Sequence, residues 1–165
     1  MRSQWWLPLA LCPLWGLAST LIPHTLEDRL KESDRVAVVQ VLSRRTIAEN
    51  GDPARLKTLT ELVVGRDVKG GGEQRLTLVQ LGGTLGLNET RIAGDATFAP
   101  GETAVVFLKC RAATRCTLVA LGEGKVPVVG GDALVHDMFK DRWSRLKLDD
   151  LVLRLQKAAQ AGAPR

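Results

Sequence analysis

Two histidines, His24 and His136, are the residues of this chain best suited to move protons or to bind zinc. Most of the chain separates them, and neither belongs to an HExxH motif or has a second ligand at a useful spacing, so we expect no metal site. His136 precedes Asp137, and with Ser144 it could form a hydrolase triad, but the Gly-x-Ser-x-Gly motif of such enzymes is missing. We therefore expect no catalytic residue, no metal and no cofactor.

Residues 1–18 have the pattern of a signal peptide. A positive charge near the start is followed by an apolar run, and Gly16 and Ala18 are small residues of the kind required near a cleavage site. The pattern predicts a mature chain that begins near Ser19 and a secreted or periplasmic location. A lipoprotein anchored through Cys12 is disfavoured because a leucine precedes that cysteine. The apolar run is too short to span a bilayer and no later segment is longer, so we expect no stable membrane span after cleavage.

Cys110 and Cys116 are the cysteines that remain once the predicted leader is removed. In KCRAATRC they are separated by five residues, and strand-like runs lie on both sides. An oxidising compartment favours a disulfide, and the spacing differs from the two-residue spacing typical of redox and metal-binding pairs. We predict a disulfide across the neck of a hairpin.

Most of the net charge of +5 at pH 7 comes from the end of the chain. Between the leader and residue 139, acidic and basic residues balance, and the surplus of lysine and arginine lies in 140–165. A basic tail can contact nucleic acid or anionic lipid, but Trp143 is the one aromatic residue of this tail, and an exported protein does not meet nucleic acid. We expect no nucleic-acid partner and a solvated basic helix face.

Helical patterns occur at both ends of the mature chain. In 19–34 we predict a short helix in which Thr25 is the N-cap, Asp28 occupies the capping-box position and the end lies near Ser33. In 140–165 we predict a basic C-terminal helix and tail, because apolar residues recur there at helical spacing. Those residues are Leu148, Leu151, Val152, Leu155, Ala158 and Ala159.

The region between these helices, 35–139, reads as a β-domain. Three long β-branched runs come first, and TAVVFLKC and CTLVALG then form the hairpin that carries the cysteines. KVPVVGGDALVHD predicts one last edge strand, since Pro127 suits an edge. The glycine-rich segment 84–101 predicts a surface loop with a short strand around Arg91 to Ala93. The fold class is therefore mainly β, a small five-stranded antiparallel barrel, closed or nearly closed, with a helix at each end.

The run GGTLGLNETRIAGDATFAPGETAVVFLKC, with VKG upstream and GEGKV downstream, resembles a large set of uncharacterised exported bacterial proteins. A glycine pair, a Gly-x-Pro-x-Phe-like loop and a Gly-Glu before an apolar strand recur in them. This chain departs from that pattern at Ala96, where such loops often have proline. The resemblance implies a barrel of the oligonucleotide/oligosaccharide-binding (OB) type and implies no activity.

The layout is also similar, more weakly, to the barrels of netrins and of the tissue inhibitors of metalloproteases. Those inhibitors bind the protease zinc through an N-terminal cysteine, whereas the predicted mature start here is Ser19 or Thr20. The helix that those barrels place between their third and fourth strands is not expected either, because 84–101 reads as loop.

The function predicted from these observations is a non-catalytic exported module that binds a protein or a glycan. The binding surface would be the barrel face or the 84–101 loop, with Asn88, Arg91, Phe98 and Glu102 as candidate residues. Two alternatives remain open: an inhibitor or accessory factor of an exported protease, and a small hydrolase without a recognisable motif.

Overall fold

The computed structural model describes residues 24–137 and 139–162. The predicted leader at 1–18, with Cys12, lies outside the described residues. No helix in the described part of the chain is long and apolar enough to cross a bilayer. In chain order the elements are α1 (Leu26–Glu32), β1 (Arg35–Ala48), β2 (Leu56–Lys69), β3 (Arg75–Leu81), β4 (Gly83–Leu85), β5 (Asn88–Thr90), β6 (Thr103–Cys110), β7 (Arg115–Leu118), β8 (Lys125–Val129), β9 (Asp132–Asp137), β10 (Arg142–Lys147) and α2 (Leu148–Ala161).

Helix α1 begins and ends where its sequence predicts. The Thr25 hydroxyl accepts a hydrogen bond from the Asp28 backbone N–H at 3.1 Å, and the Asp28 carboxylate accepts one from the Thr25 N–H, also at 3.1 Å. This reciprocal pair is the predicted capping box, and Ser33 is the C-cap. Leu26 and Leu30 are buried against the barrel.

Five strands close into a barrel of the OB type, in the order β1, β2, β3, β7, β6 and back to β1. The predicted mainly β fold with a five-stranded barrel and a helix at each end is confirmed, but the barrel is mixed and not purely antiparallel. β3 and β7 run parallel, with Thr77 opposite Arg115 and Leu78 opposite Cys116. A closed ring with an odd number of strands cannot alternate direction all the way round, so at least one parallel pair is required.

Strands β1 and β6 contribute to two apolar cores on their opposite faces. Val39 and Val106 point into the barrel, whereas Val36 and Phe107 belong to an outer core that α1 and α2 cover. All four side chains are almost completely buried. Because both of its faces are buried, β6 reads in the sequence as a continuous apolar run instead of an alternation.

A three-stranded extension, β8, β9 and β10, leaves the barrel at β6. The sequence predicted one edge strand here and placed the region from residue 140 onward in a helix and tail. The structure instead divides the edge strand into β8 and β9 and adds β10 at Arg142–Lys147. Gly130 and Gly131, with φ of +60° and +84°, form the two-residue turn that divides it.

Pro127, predicted at a sheet edge, lies in β8 opposite Ala104 of β6. The ladder from β8 to β9 includes only Val128 and Val129. Hydrogen-bonded pairs alternate along the ladder from the turn, so after Val129 the next residue to donate to β9 would be Pro127. Proline has no backbone N–H to donate. The missing donor explains why this ladder stops after two residues.

The segment predicted as a loop, 84–101, contains a small hairpin instead of the predicted strand around Arg91–Ala93. β4 and β5 pair from Gly83 opposite Thr90 to Leu85 opposite Asn88. Gly83 has φ of +133°, and a Cβ there would lie 2.5 Å from the Thr58 hydroxyl oxygen. No helix occurs in the segment, as expected from its sequence.

Helix α2 packs its predicted apolar face on the outer core. Leu151, Val152 and Leu155 are buried, whereas Leu153 on the opposite face is half exposed. The helix starts at Leu148, and the burial of these three residues confirms the predicted apolar face.

An ion pair joins α2 to α1. Arg154 Nη2 lies 2.8 Å from Glu27 Oε1, and this hydrogen bond lowers the pKa of Glu27. The two residues are 127 positions apart. The pair is exposed and adds little stability, but it shows that the outer layer is built from the first and last described elements.

Cys110 and Cys116 face each other across the β6–β7 hairpin, with their sulfur atoms 2.05 Å apart, as predicted. We expect the double substitution Cys110→Ala/Cys116→Ala to lower the free energy of unfolding by about 2 kcal/mol, because the closed loop is short. Urea denaturation of the variant and of the native protein, with and without reductant, measures this. Native protein that reacts with a maleimide before reduction would contradict the bridge.

Candidate functional site

Two of the predicted binding residues, Phe98 and Glu102, hold the 84–101 segment against the barrel. Phe98 is buried in the barrel core, and Lys125 Nζ lies 4.6 Å from the centre of its ring. The same ammonium group lies 2.5 Å from a Glu102 carboxylate oxygen and donates a hydrogen bond to the Thr97 carbonyl. These side chains position the loop and leave little surface for a partner.

Further hydrogen bonds hold the rest of the loop. The Gln80 side-chain amide donates to the Ala96 carbonyl at 2.7 Å, and the Gly122 N–H donates to the Gly94 carbonyl at 2.8 Å. A Cβ on Gly122 would lie 2.4 Å from that carbonyl oxygen, so the close approach requires glycine. The segment is therefore held against the barrel by specific hydrogen bonds, although its glycine content predicted an irregular surface loop.

The other two predicted residues, Asn88 and Arg91, are exposed at the β4–β5 hairpin. Arg91 Nε donates to Glu89 at 2.6 Å, and this hydrogen bond raises the pKa of Arg91. The cleft beside this hairpin, about 480 Å³, is lined mainly by polar groups. Of these, Thr58 donates its hydroxyl proton to the Gly82 carbonyl, which holds the loop in place.

The two histidines line one cavity of about 350 Å³, but each ring lies beside a different carboxylate. The His24 backbone N–H donates to Glu123 at 3.0 Å, and its ring lies 3.8 Å from Glu32. His136 Nε2 lies 3.1 Å from an Asp141 carboxylate oxygen. Within residues 24–137 and 139–162, no group of three or more histidine, cysteine, aspartate or glutamate side chains is arranged to hold a metal ion.

The possible triad of His136, Asp137 and Ser144 is not assembled. Ser144 lies opposite Val135, and His136 lies opposite Trp143, so the pleat sends the histidine and serine side chains to opposite faces of the β9–β10 ribbon. The Ser144 hydroxyl donates to the Val135 carbonyl at 3.3 Å. Asp137 follows His136 in β9, so its side chain points to the face opposite to that of the histidine.

Exposed aromatic side chains distinguish the β9–β10 hairpin from the rest of the surface. Phe98, Phe107, Phe139 and Trp143 are the only phenylalanine and tryptophan residues after the predicted leader, and the first two are buried. Phe139 is 65% exposed and Trp143 is 62% exposed. The tryptophan ring stacks on His136 with the ring centres 4.6 Å apart, which fixes its position.

Cations surround these aromatic groups. Lys140 lies in the hairpin turn, and Arg142, Arg145 and Lys147 follow along β10, all with exposed side chains. Lys147 donates to Asp132 at 2.7 Å, and this contact lowers the pKa of Asp132. Arg142 forms no ion pair or side-chain hydrogen bond with any described residue. We refer to His136, Phe139, Lys140, Arg142 and Trp143 together as the hairpin surface.

Two cavities lie on either side of the hairpin surface. The first, about 190 Å³, lies beside Trp143 and is lined also by Lys125 and Leu134. The second, about 350 Å³, lies between Phe139 and α1 and is lined also by Leu146. The end of the three-stranded extension therefore has room for side chains on both of its faces.

Sequence reasoning missed the hairpin surface because Trp143 was assigned to a basic helix face. The usable signal was the run FKDRW, which places two aromatic and three charged residues together in a chain that is otherwise poor in aromatics. No protein-family model matches the chain, and no curated protein is significantly similar to it in sequence.

Proposed function

We propose that this chain is an exported, non-catalytic module that binds a partner protein through the hairpin surface. The binding role is the one predicted from the sequence, and the position of its surface is new. The observation that carries the proposal is the exposure of Phe139 and Trp143, which are 65% and 62% accessible while the other aromatic rings of the domain are buried.

Aromatic and arginine side chains contribute most of the binding energy at protein interfaces. Burying a tryptophan ring removes a large apolar area from water at a small cost in side-chain entropy. Trp143 is already ordered by stacking on His136, so binding restricts it little further. Arg142, which has no described ion-pair partner, supplies an unused charge next to it.

The proposal can be tested by capture of exported proteins from the source organism on the immobilised mature chain. We expect Trp143→Ala and Phe139→Ala each to reduce capture of a specific partner by about tenfold or more. Leu87→Ala is the matched control, because Leu87 is a fully exposed apolar residue on another hairpin, in the β4–β5 turn. Affinities of the purified partner for the three variants, measured by calorimetry, give the quantitative comparison.

A partner that binds both aromatic variants as well as the native chain would contradict the proposal. If the ligand proved to be a glycan whose binding depends on Trp143, the hairpin surface would still be the binding site, but the proposal of a protein partner would be wrong. The other functions considered from the sequence, a protease inhibitor and a small hydrolase, are not favoured by any feature of the described residues.

A further inference from the structure

We propose that the partner supplies an extended acidic segment that pairs with the free edge of β10 as an added strand. This inference rests on the proposed protein-binding function and specifies its mode. β10 is the last strand of the large sheet, and among the described strands it pairs with β9 alone.

The register fixes which backbone groups of β10 face outward. The Leu148 N–H donates to the Gly131 carbonyl at 3.1 Å, so this opposed pair is a hydrogen-bonded one. Hydrogen-bonded and non-hydrogen-bonded pairs alternate along an antiparallel ladder. Ser144 therefore bonds to β9, whereas the N–H and C=O groups of Trp143 and Arg145 point away from it. These are the groups that an added strand would use.

Nothing in the described part of the chain pairs with this edge, and the side chains of Trp143, Arg145 and Lys147 are exposed. Sheet edges of this kind are protected in many proteins by charged residues. Positive charge also selects among partners, because a second copy of β10 in the same position would bring arginine and lysine against arginine and lysine. Arg145 and Lys147 lie 3.9 and 2.7 Å from the carboxylate of Asp132, so two cations share one anion and a net positive charge remains. An acidic segment from a different protein matches that charge.

The pleat predicts the pattern of the partner segment. Trp143, Arg145 and Lys147 alternate with Ser144 and Leu146, so they share one face of the sheet. An apolar side chain would lie beside Trp143, and acidic side chains two and four positions away would lie beside Arg145 and Lys147. Intervening side chains would point toward the 350 Å³ cavity.

The test uses a blocked ten-residue peptide in which valine and two glutamates occupy successive alternate positions between threonines. Amide hydrogen exchange of the mature chain is followed by NMR with the peptide at millimolar concentration. We expect the Trp143 and Arg145 amides to exchange about tenfold more slowly, as hydrogen-bonded edge amides do, and the Ser144 amide to be unchanged because it already bonds to β9. The same peptide with lysine in place of glutamate should give no protection.

Arg145→Pro removes an outward N–H without removing a bond to β9, and Arg145→Ala is its side-chain control. We expect the proline variant to lose peptide binding and the alanine variant to retain part of it, with far-UV circular dichroism and thermal unfolding confirming that both variants fold. Absence of alternating amide protection in the native chain would overturn strand addition, even if Trp143→Ala still abolishes partner capture. Failure of the proposed function would instead appear as partner capture that neither Trp143→Ala nor Phe139→Ala reduces.

Discussion

Replacing Leu151 with aspartate should lower the free energy of unfolding by about 4 kcal/mol, the largest loss that we expect from a single substitution in this chain. Leu151 is completely buried in the outer core, where α2 packs on the barrel. The substitution removes an apolar side chain and also buries a carboxyl group without a partner.

The matched control is Leu153→Asp, two residues further along the same helix. Leu153 is half exposed, so the same chemical change there should alter stability by less than about 0.5 kcal/mol. Urea denaturation followed by circular dichroism measures both variants. Equal stabilities for the two would show that α2 does not contribute its leucine face to the core.

Asp67→Ala should lower the free energy of unfolding by about 3 kcal/mol. The Arg35 side chain is 5% exposed, and its Nε and Nη2 atoms donate to the Asp67 carboxylate at 2.7 and 3.1 Å. Its Nη1 donates to the Glu73 carbonyl at 3.0 Å. Removing the carboxylate leaves a buried guanidinium without its counter-charge, and this accounts for the size of the effect.

A double-mutant cycle separates the pair from its surroundings. The double variant Arg35→Met/Asp67→Ala should be more stable than Asp67→Ala alone, because no unpaired charge remains buried. Glu89→Ala, which breaks the exposed Arg91–Glu89 pair, is the control and should change stability by less than about 1 kcal/mol. If the double variant were less stable than Asp67→Ala, the burial argument would be wrong.

Local features of this fold could be read from the sequence because they depend on neighbours in the chain. The capping box of Thr25 and Asp28 needs only residues three positions apart, and the Cys110–Cys116 bridge needs only a tight hairpin. The parallel contact of β3 with β7 depends on closure of the whole barrel. The sequence pattern of each strand taken separately does not show how the barrel closes.

The three-stranded extension was predictable in part. Gly130 and Gly131 between two β-branched runs are a hairpin signal, and the single predicted strand ignored it. β10 was harder to recognise, because basic residues alternate there with Trp143 and Leu146 immediately before a strong helical pattern. Its strand character depends on pairing with β9, so the run FKDRW shows aromatic and charged residues together but does not place them on a hairpin of strands.

The candidate loop residues show the same limit. Phe98 and Glu102 were recognised as significant, but their common partner, Lys125, lies on a strand more than twenty residues later in the sequence. Tertiary contacts of this kind decide whether a loop side chain holds the fold or faces a ligand, and one sequence does not contain them.

The pairing of the first and last helices has a consequence for synthesis of the chain. The barrel strands are complete once β7 has been made, but the outer core over β1 and β6 is complete only when β8, β9 and α2 have joined α1. Until α2 has been made and has docked, Val36, Val105 and Phe107 lack part of their apolar cover. A chain whose α2 has not yet docked therefore exposes an apolar, strand-lined surface of the kind that favours aggregation during folding.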